Sequence, residues 1–328
     1  MLSERLLMMP KIDLHCHLDG SLPLSVVREM LGRDVALEEL QVKDDCRSLA
    51  QYLEKFDIPV ACIQTSEHLK TAAREFLLSL QKDRIIYGEV RFAPQLSTGE
   101  GLGCRRVMES VLEGLEEAKQ LCGIDYGVIA CMMRHHDEET NFQMLKECRE
   151  FLGEGLCAVD LAGDEAGFPT ERFFRLFQEA KKMDYPFTIH AGECGDVNSI
   201  LQAVEWGAGR IGHGIAMAGH PEVQKVCVKK RVGVEMCPIS NYQTKALEPE
   251  AVYPIREFAK NGVLVTVNTD NRTVSNTSIA KEMAFLQERF RITEEELKMY
   301  QIHSIETAFC EDSLKHRLLT RMTDTDII

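Results

Sequence analysis

The 328-residue sequence has neither an excess of positive charge nor a long apolar run. Its formal net charge is −14 and its pI is near 5.3, whereas proteins that bind nucleic-acid phosphates are usually basic. No apolar stretch approaches the ~20 residues of a membrane-spanning helix. The N-terminal segment MLSERLLMMPKID has too short an apolar core for a signal peptide. We therefore expect neither a nucleic acid nor a membrane as a partner.

The sequence also has no C-x-x-C pair, although it contains 12 cysteines. In a chain of this length without an export signal, scattered cysteines indicate reduced thiols in a cytoplasmic protein. No Pro-, Gly- or Ser-rich linker, low-complexity tract or short repeat divides the chain. With 45% hydrophobic residues it can form one large core, so we predict a single domain over residues 1–328.

Short apolar, β-branched segments alternate with amphipathic helical patterns along the chain. Eight of the segments have the composition of strands buried on both faces, namely residues 11–17, 85–92, 126–133, 157–161, 187–191, 210–213, 232–236 and 264–269. Helical patterns lie between most of them, for example at 106–120, 140–152, 170–183 and 222–230. This alternation predicts an α/β fold of the (β/α)₈ TIM-barrel type.

One connection is much longer than the others. Residues 18–84 separate the first two predicted strands, and structureless loops of that length are rare in compact domains. The patterns at 48–56 and 66–80 are helical, so we predict extra helices above strand 1, where they could cover a site. The chain after about residue 279 is also helical, and we expect it to close the outside of the barrel.

The first strand, KIDLHCH, places His15 and His17 two residues apart. Alternate residues of a strand point to the same side, so both imidazoles can reach one metal ion. Residues two apart on a helix do not face each other. Taken alone, this pair could equally be a chance occurrence on a buried strand.

Further polar residues follow other predicted strands, at the barrel end where such folds carry their chemistry. The metal hypothesis assigns four ligands: His15, His17, His190 and Asp270. Three imidazoles and one carboxylate suit zinc or a similar borderline metal. Such an ion would lower the pKa of water at an open position to about 7. Because these residues lie at matching strand ends, we favour a metal site over a chance pattern.

Glu193 and His213 are candidates for acid–base chemistry. Glu193 lies three residues beyond His190, past an Ala-Gly turn, and could donate a proton to a ring nitrogen if burial raises its pKa. His213 lies between two glycines and could accept a proton from water or hold hydroxide in place. The alternatives are a solvated loop glutamate and a structural histidine. His135 and His136 are adjacent and point apart, so we expect one to be structural and one exposed.

Taken together, the motifs resemble those of the adenosine deaminase family of the amidohydrolase superfamily. The matching stretches occur in the family's order and span residues 12–271: IDLHCHLDGS, YLEKF, VDLAGDE, HAGE, RIGHG, EMCPISN and VNTDN. Each motif is weak by itself, but the ordered set is specific.

The resemblance implies a purine deaminase with one Zn²⁺ per chain on the four residues named above. Hydroxide would attack C6 while Glu193 protonates the neighbouring ring nitrogen, and His213 and Asp270 would orient the nucleophile and handle its proton. Ammonia would leave, and adenosine or 2′-deoxyadenosine would become inosine or deoxyinosine, a step of purine salvage. Strand 4 carries no Lys to bridge two metals, which favours a single ion.

The resemblance also implies the substrate contacts. Asp19 matches the position that binds a ribose hydroxyl, Gly163 the one whose backbone N–H reaches a purine nitrogen, and His17 also faces the substrate. Asn271 stands where many members have a second Asp that donates a hydrogen bond to the imidazole ring of the purine. An amide can donate without being protonated, so this contact can survive. Two further carboxylates would support the ligands or the base from behind: Asp160 and Glu235.

Three other functions are compatible with parts of this pattern. The same chemistry could act on another 6-aminopurine, such as adenine, a nucleotide or a modified nucleoside like aminodeoxyfutalosine; Asp19 disfavours a phosphate because two anions repel. A metal-dependent esterase or lactonase would not need Glu193 and Gly163 in their purine roles. A catalytically silent nucleoside-binding protein would be free to lose ligands, acid or base. The zinc deaminases that combine H-x-E with P-C-x-x-C are excluded, since the sequence contains no P-C-x-x-C.

Overall fold

The computed structural model describes residues 2–43, 46–194 and 196–323. It contains eight parallel strands, β1 to β8 in chain order: Lys11–His17, Ile85–Phe92, Asp125–Met133, Leu156–Ala162, Thr188–Ala191, Arg210–His213, Gly233–Met236 and Leu264–Val267. Each predicted strand corresponds to one of them, with shifts of no more than two residues at the ends. Strands β2, β4 and β5 are buried almost throughout, which explains their apolar, non-alternating sequences.

The strands form a closed barrel from two four-stranded halves. Neighbouring strands pair in the order β1 to β4 and in the order β5 to β8. One seam is closed by a bridge between Val159 and Phe187, and the other by a bridge between Cys16 and Asp270. At the second seam, His17 N donates to Asp270 O at 2.7 Å, and Asp270 N donates to His15 O at 2.7 Å. The predicted (β/α)₈ barrel is therefore confirmed.

Helices surround the barrel. Within the described residues they are α1 to α16 in chain order: Glu4–Met8, Leu24–Leu31, Leu37–Leu40, Leu49–Leu53, Asp57–Cys62, Ser66–Ser79, Cys104–Cys122, Glu138–Cys148, Phe174–Lys182, Val197–Trp206, Pro221–Lys230, Pro238–Gln243, Ile255–Lys260, Ile279–Phe290, Glu294–Thr307 and Asp312–Thr323. No helix in the described ranges has both the length and the apolar character that a membrane crossing requires.

Helix ends follow local sequence signals. At α15, the Thr293 hydroxyl accepts from Glu296 N at 3.2 Å, and the Glu296 carboxylate accepts from Thr293 N at 2.8 Å. This reciprocal pair is a capping box. The pattern predicted as one helix over 170–183 begins instead as a 3₁₀ turn, Thr170–Phe173, and only then continues as α9. The residue before it, Pro169, is extended, so the chain enters the helix through this tighter turn.

The segment between β1 and β2 contains five α-helices, α2 to α6, as its helical patterns predicted. Residues 44 and 45 of this segment lie outside the described residues. Helix α6 packs along α7 on the outside of the barrel. Helices α4 and α5 lie instead over the carboxyl ends of the strands, where they form one wall of a cavity. The prediction that this insertion covers a site is thus matched by its position.

Candidate active site

A cavity of about 580 Å³ opens at the carboxyl ends of the strands. Its floor contains six of the residues that the sequence singled out: His17, Asp19, His190, Glu193, His213 and Asp270. Gly163 and Asn271 also line it, and His15 lies fully buried beside it. One wall comes from the insertion between β1 and β2, through Leu49, Tyr52, Leu53, Phe56, Asp57, Val60 and Ala61.

The four predicted metal ligands converge on one point. The Nε2 atoms of His17 and His190 are 3.4 Å apart. Asp270 Oδ1 lies 3.5 Å from His17 Nε2 and 3.4 Å from His15 Nε2. A tetrahedral zinc site with bonds of about 2.0–2.1 Å has ligand atoms separated by about 3.3 Å. His15 Nε2 is also buried and makes no hydrogen bond within the described residues. The donor set therefore fits a zinc ion.

His213 is also close to this group. Together with His15, His190 and Asp270 it offers a ligand atom within 4.8 Å of the others. However, His213 Nδ1 lies 2.9 Å from the Asn241 amide, and its Nε2 lies 3.7 Å from Glu193 Oε2. The shorter separations that involve His17 match the edges of a tetrahedron better, so we retain His17 as the ligand.

Buried carboxylates hold two of the ligand rings from behind. His15 Nδ1 lies 2.7 Å from Glu235 Oε2, and His190 Nδ1 lies 2.8 Å from Asp160 Oδ2. Both carboxylates are fully buried. The hydrogen bond to Glu235 places the His15 ring proton on Nδ1 and leaves Nε2 as the free donor atom, which is the usual arrangement behind a metal-bound histidine. Asp160 lies in the corresponding position behind His190.

The same carboxylates belong to a buried ionic network that the sequence analysis did not identify. Arg91 contacts both Asp160 and Glu235 at 2.8 Å, and Arg210 bridges Glu235 and Glu89. None of these side chains is exposed. Burial alone would raise the pKa of Glu235, but the two guanidinium groups hold it well below its usual range. The carboxylates behind the ligands therefore stay ionised.

Two site residues have backbone angles that favour glycine. His213 has φ 64° and Asp270 has φ 58°, both in the left-handed region. Such conformations are uncommon for residues with a Cβ and are concentrated at functional sites. At Asp270 the turn aims Oδ1 at the imidazoles, while Oδ2 accepts from the Ser240 hydroxyl at 2.5 Å. The backbone thus turns inward to present these side chains.

Glu193 is buried at the side of the cavity, with 5% of its surface exposed. Burial, followed by the negative charges of Asp270 and Glu165, raises its pKa to about 8. Glu165 also accepts hydrogen bonds from three successive backbone amides, those of Gly192, Glu193 and Cys194, at 2.8, 3.0 and 3.2 Å. These three hydrogen bonds fix the loop that carries Glu193. Because the pKa of Glu193 is raised, its carboxyl group carries a proton at neutral pH.

The lining of the cavity also contains the remaining predicted substrate contacts. Asp19 is 7% exposed, and burial raises its pKa to about 6. Gly163 has φ 105°, which only glycine adopts readily. Asn271 is 2% exposed and its Oδ1 makes no hydrogen bond within the described residues. A Cβ at Gly20 would lie 1.9 Å from that oxygen, so the glycine after Asp19 makes room for the Asn271 side chain.

Some residues of the cavity were not identified from the sequence. His135 is exposed, as expected for one member of its pair, but it also lines the cavity. The apolar wall residues Tyr52 and Phe56 lie in the YLEKF stretch. This stretch was one of the motifs that match the family, but no role was assigned to its residues. The sequence feature that could have identified these two residues is the amphipathic pattern of the insertion. That pattern predicts helices, but it does not show which helix face lines a site.

Comparison with known proteins gives consistent results along the whole chain. The profile described as adenosine deaminase matches residues 10–325. A protein from Clostridium botulinum (strain Okra) named adenosine deaminase is 39% identical over 322 residues, covering 94% of this chain and 96% of the relative. One from Enterococcus faecalis with the same name is 36% identical over 330 residues, covering 98% of each.

Solved structures share the fold. An adenine deaminase from Arthrobacter aurescens superposes with a TM-score of 0.86 at 23% identity, covering 96% of this chain and 98% of its own. An Arabidopsis N6-mAMP deaminase gives 0.87 at 24% identity, covering 98% and 100%. An amidohydrolase from Burkholderia ambifaria, solved with bound Zn, gives 0.89 at 18% identity, covering 100% and 94%. At these identities the structures establish the barrel architecture only.

Proposed function

Because the chain belongs to the adenosine deaminase family, we propose that it hydrolyses adenosine, and 2′-deoxyadenosine, to inosine or deoxyinosine and ammonia. The observation that carries this proposal is the position of Glu193. A buried carboxyl group with its pKa raised to about 8 faces the cavity that holds the cluster of three histidines and an aspartate. That combination supplies a proton donor for a ring nitrogen beside a site for water activation.

We propose one Zn²⁺ per chain, held by His15, His17, His190 and Asp270. When bound, such an ion lowers the pKa of a water molecule to about 7, so that hydroxide is available at neutral pH. The chain's residues supply the rest. Glu193 gives its carboxyl proton to the purine nitrogen next to C6, which makes that carbon more electrophilic. His213 and Asp270 orient the attacking water, and Asp270 can take up its proton.

We assign the substrate contacts to Asp19 for a ribose hydroxyl, Gly163 for a purine nitrogen and Asn271 for the imidazole ring of the purine, with His17 facing the substrate. None of the described residues that line the cavity is Lys or Arg, whereas four carry carboxyl groups: Asp19, Asp57, Glu193 and Asp270. A nucleotide phosphate would meet carboxylates without a partner cation there. This composition supports a nucleoside rather than a nucleotide as the substrate.

We further propose that residues 1–328 act as one catalytic domain in cytoplasmic purine salvage. One hydrophobic cluster extends from Leu6 to Met322 and includes residues of all eight strands. All 12 cysteines are free. These features support a single folded unit in a reducing compartment.

The substrate assignment is tested by ultraviolet spectroscopy with the purified, zinc-loaded protein. We expect rapid loss of aminopurine absorbance with adenosine and deoxyadenosine, little change with adenine or AMP, and no change after metal removal. Activity on AMP would contradict the argument from carboxylates without a partner cation in the cavity, and activity on adenine would contradict the assignment of Asp19 to a ribose hydroxyl. If none of the four reacts, modified nucleosides such as aminodeoxyfutalosine are tested next.

His17→Ala is expected to lower the metal content of the protein. At 13% exposure, the His17 side chain is the most exposed of the three proposed histidine ligands. Its loss should therefore reduce folding stability only slightly. Metal per chain is measured by atomic emission after dialysis. His220→Ala is the matched control, because His220 is exposed and its side chain pairs with Glu222 at 3.1 Å, far in sequence from the proposed ligands. Full metal occupancy in His17→Ala would show that the ligand set is misassigned.

A further inference from the structure

A series of three hydrogen-bonded, buried polar side chains ends at His213, the candidate base. The Tyr253 hydroxyl lies 2.8 Å from Asn241 Oδ1, and Asn241 Nδ2 lies 2.9 Å from His213 Nδ1. Tyr253, Asn241 and His213 are each no more than 1% exposed. Solvent therefore cannot supply donors or acceptors to this chain, and its hydrogen bonds must be satisfied internally.

The direction of these hydrogen bonds is set at the tyrosine. Among the described residues, the hydrogen-bond partner of this hydroxyl is the Asn241 side chain, so the Tyr253 proton is donated to Asn241 Oδ1. An amide oxygen only accepts, and that fixes the orientation of the Asn241 amide. If the amide were turned round, the buried Tyr253 proton would face an NH₂ group and have no acceptor.

This orientation determines where His213 carries its proton. Asn241 Nδ2 is a donor, so His213 Nδ1 must be the acceptor and cannot carry a hydrogen. The ring proton is therefore on Nε2. That nitrogen points into the cavity and lies 3.7 Å from Glu193 Oε2. An imidazolium ion, with hydrogens on both nitrogens, would also conflict with the Asn241 amide.

We propose that Asn241 and Tyr253 are positioning residues that hold His213 as the Nε2–H tautomer, so that His213 donates a hydrogen bond into the cavity. This rests on the proposed function for its catalytic meaning. A nucleophilic oxygen on that side of the substrate would accept the hydrogen bond from His213 Nε2. Because Nε2 already carries a hydrogen, it would not remove the proton of that oxygen. Neither Asn241 nor Tyr253 touches the substrate in this scheme.

The tautomer is measured directly by ¹⁵N–¹H NMR of the histidine side chains in the full-length protein, both metal-free and zinc-loaded. The spectrum of His213→Gln identifies the signals of His213. We expect the nitrogen shift typical of a protonated nitrogen at Nε2 and that of an unprotonated nitrogen at Nδ1. The reverse pattern in the wild-type protein would overturn the proposal. This reading needs no substrate, so it stands or falls separately from the deaminase assignment.

Two variants extend the test to activity. Tyr253→Phe removes only the hydroxyl that orients the amide. We expect the His213 signals to become a mixture of tautomers and kcat to fall about 10-fold, with KM nearly unchanged, as for other residues that support a catalytic group from behind. Asn241→Asp offers only acceptor oxygens to Nδ1, and we expect it to move the His213 proton to Nδ1.

Tyr185→Phe is the matched control. Tyr185 is also buried, and its hydroxyl donates to Leu145 O at 2.9 Å, away from the cavity. It should lose similar stability without a change in the His213 spectrum or in kcat. If Tyr185→Phe and Tyr253→Phe lower kcat equally while the His213 signals stay unchanged, the role of Tyr253 is only structural and the proposal fails.

Discussion

Glu193→Gln is expected to lower kcat by roughly 10²- to 10⁴-fold, the usual contribution of a positioned general acid. Gln has nearly the same shape and can still hydrogen-bond, but it has no carboxyl proton to give to the purine ring. Metal content and the affinity for a nucleoside should stay close to those of the wild-type protein. The measurements are steady-state kinetics with adenosine, metal analysis and calorimetric titration with inosine.

The pH dependence of the wild-type enzyme provides an independent check. The pKa of Glu193 is raised to about 8, mainly by burial, so its protonated form is present below that pH and is lost above it. We expect kcat/KM to fall as the pH rises through about 8, and this fall to be absent in Glu193→Gln. Glu205→Gln, at an exposed position of α10, is the control. Near-normal turnover of Glu193→Gln would remove Glu193 from the acid role.

Arg91→Met is expected to give the largest loss of stability, about 3–5 kcal/mol in the free energy of unfolding. The network contains three buried carboxylates, of Glu89, Asp160 and Glu235, and the guanidinium groups of Arg91 and Arg210. Removing Arg91 leaves Asp160 without its guanidinium partner and leaves Leu14 O without the Arg91 donor. Urea unfolding of the metal-free protein measures this loss separately from any effect on metal binding.

Arg106→Met is the matched control for this prediction. Arg106 also pairs with two carboxylates, of Glu109 at 2.7 Å and Glu113 at 3.1 Å, but its side chain is 45% exposed. Exposed ion pairs contribute little because water screens them, so we expect a change within about 1 kcal/mol. Equal losses in the two variants would show that burial of the Arg91 network has no particular energetic importance.

The strands could be predicted closely because their sequences have one dominant requirement. A strand covered on both faces needs a short apolar, β-branched run. The segments predicted from this rule, KIDLHCH and IIYGEVRF, coincide with the observed bounds of β1 and β2. The prediction for β8 was too long by two residues. Beyond Val267 the chain turns toward β1, and Asp270 leaves the extended conformation altogether.

The ligand positions could be predicted for a similar reason, since carboxyl ends of parallel strands meet at one rim. The network behind them could not. Arg91, Arg210 and Glu89 lie within strands that were predicted from their apolar composition. The register between strands determines which carboxylate each guanidinium group contacts. The signal available in the sequence was a charged residue inside a buried run, such as Arg91 in GEVRF. Only tertiary structure identifies its partners.

The seam between β1 and β8 has a consequence for how the protein acquires its activity during folding. The backbone hydrogen bonds that close the barrel there belong to His15, His17 and Asp270, residues from opposite ends of the chain. Bringing such distant segments together carries a loop-closure cost that local contacts cannot offset early. A nascent chain that has not yet reached β8 therefore has two of the proposed ligands on an open edge strand. Closure of the barrel and assembly of the complete ligand set are one event.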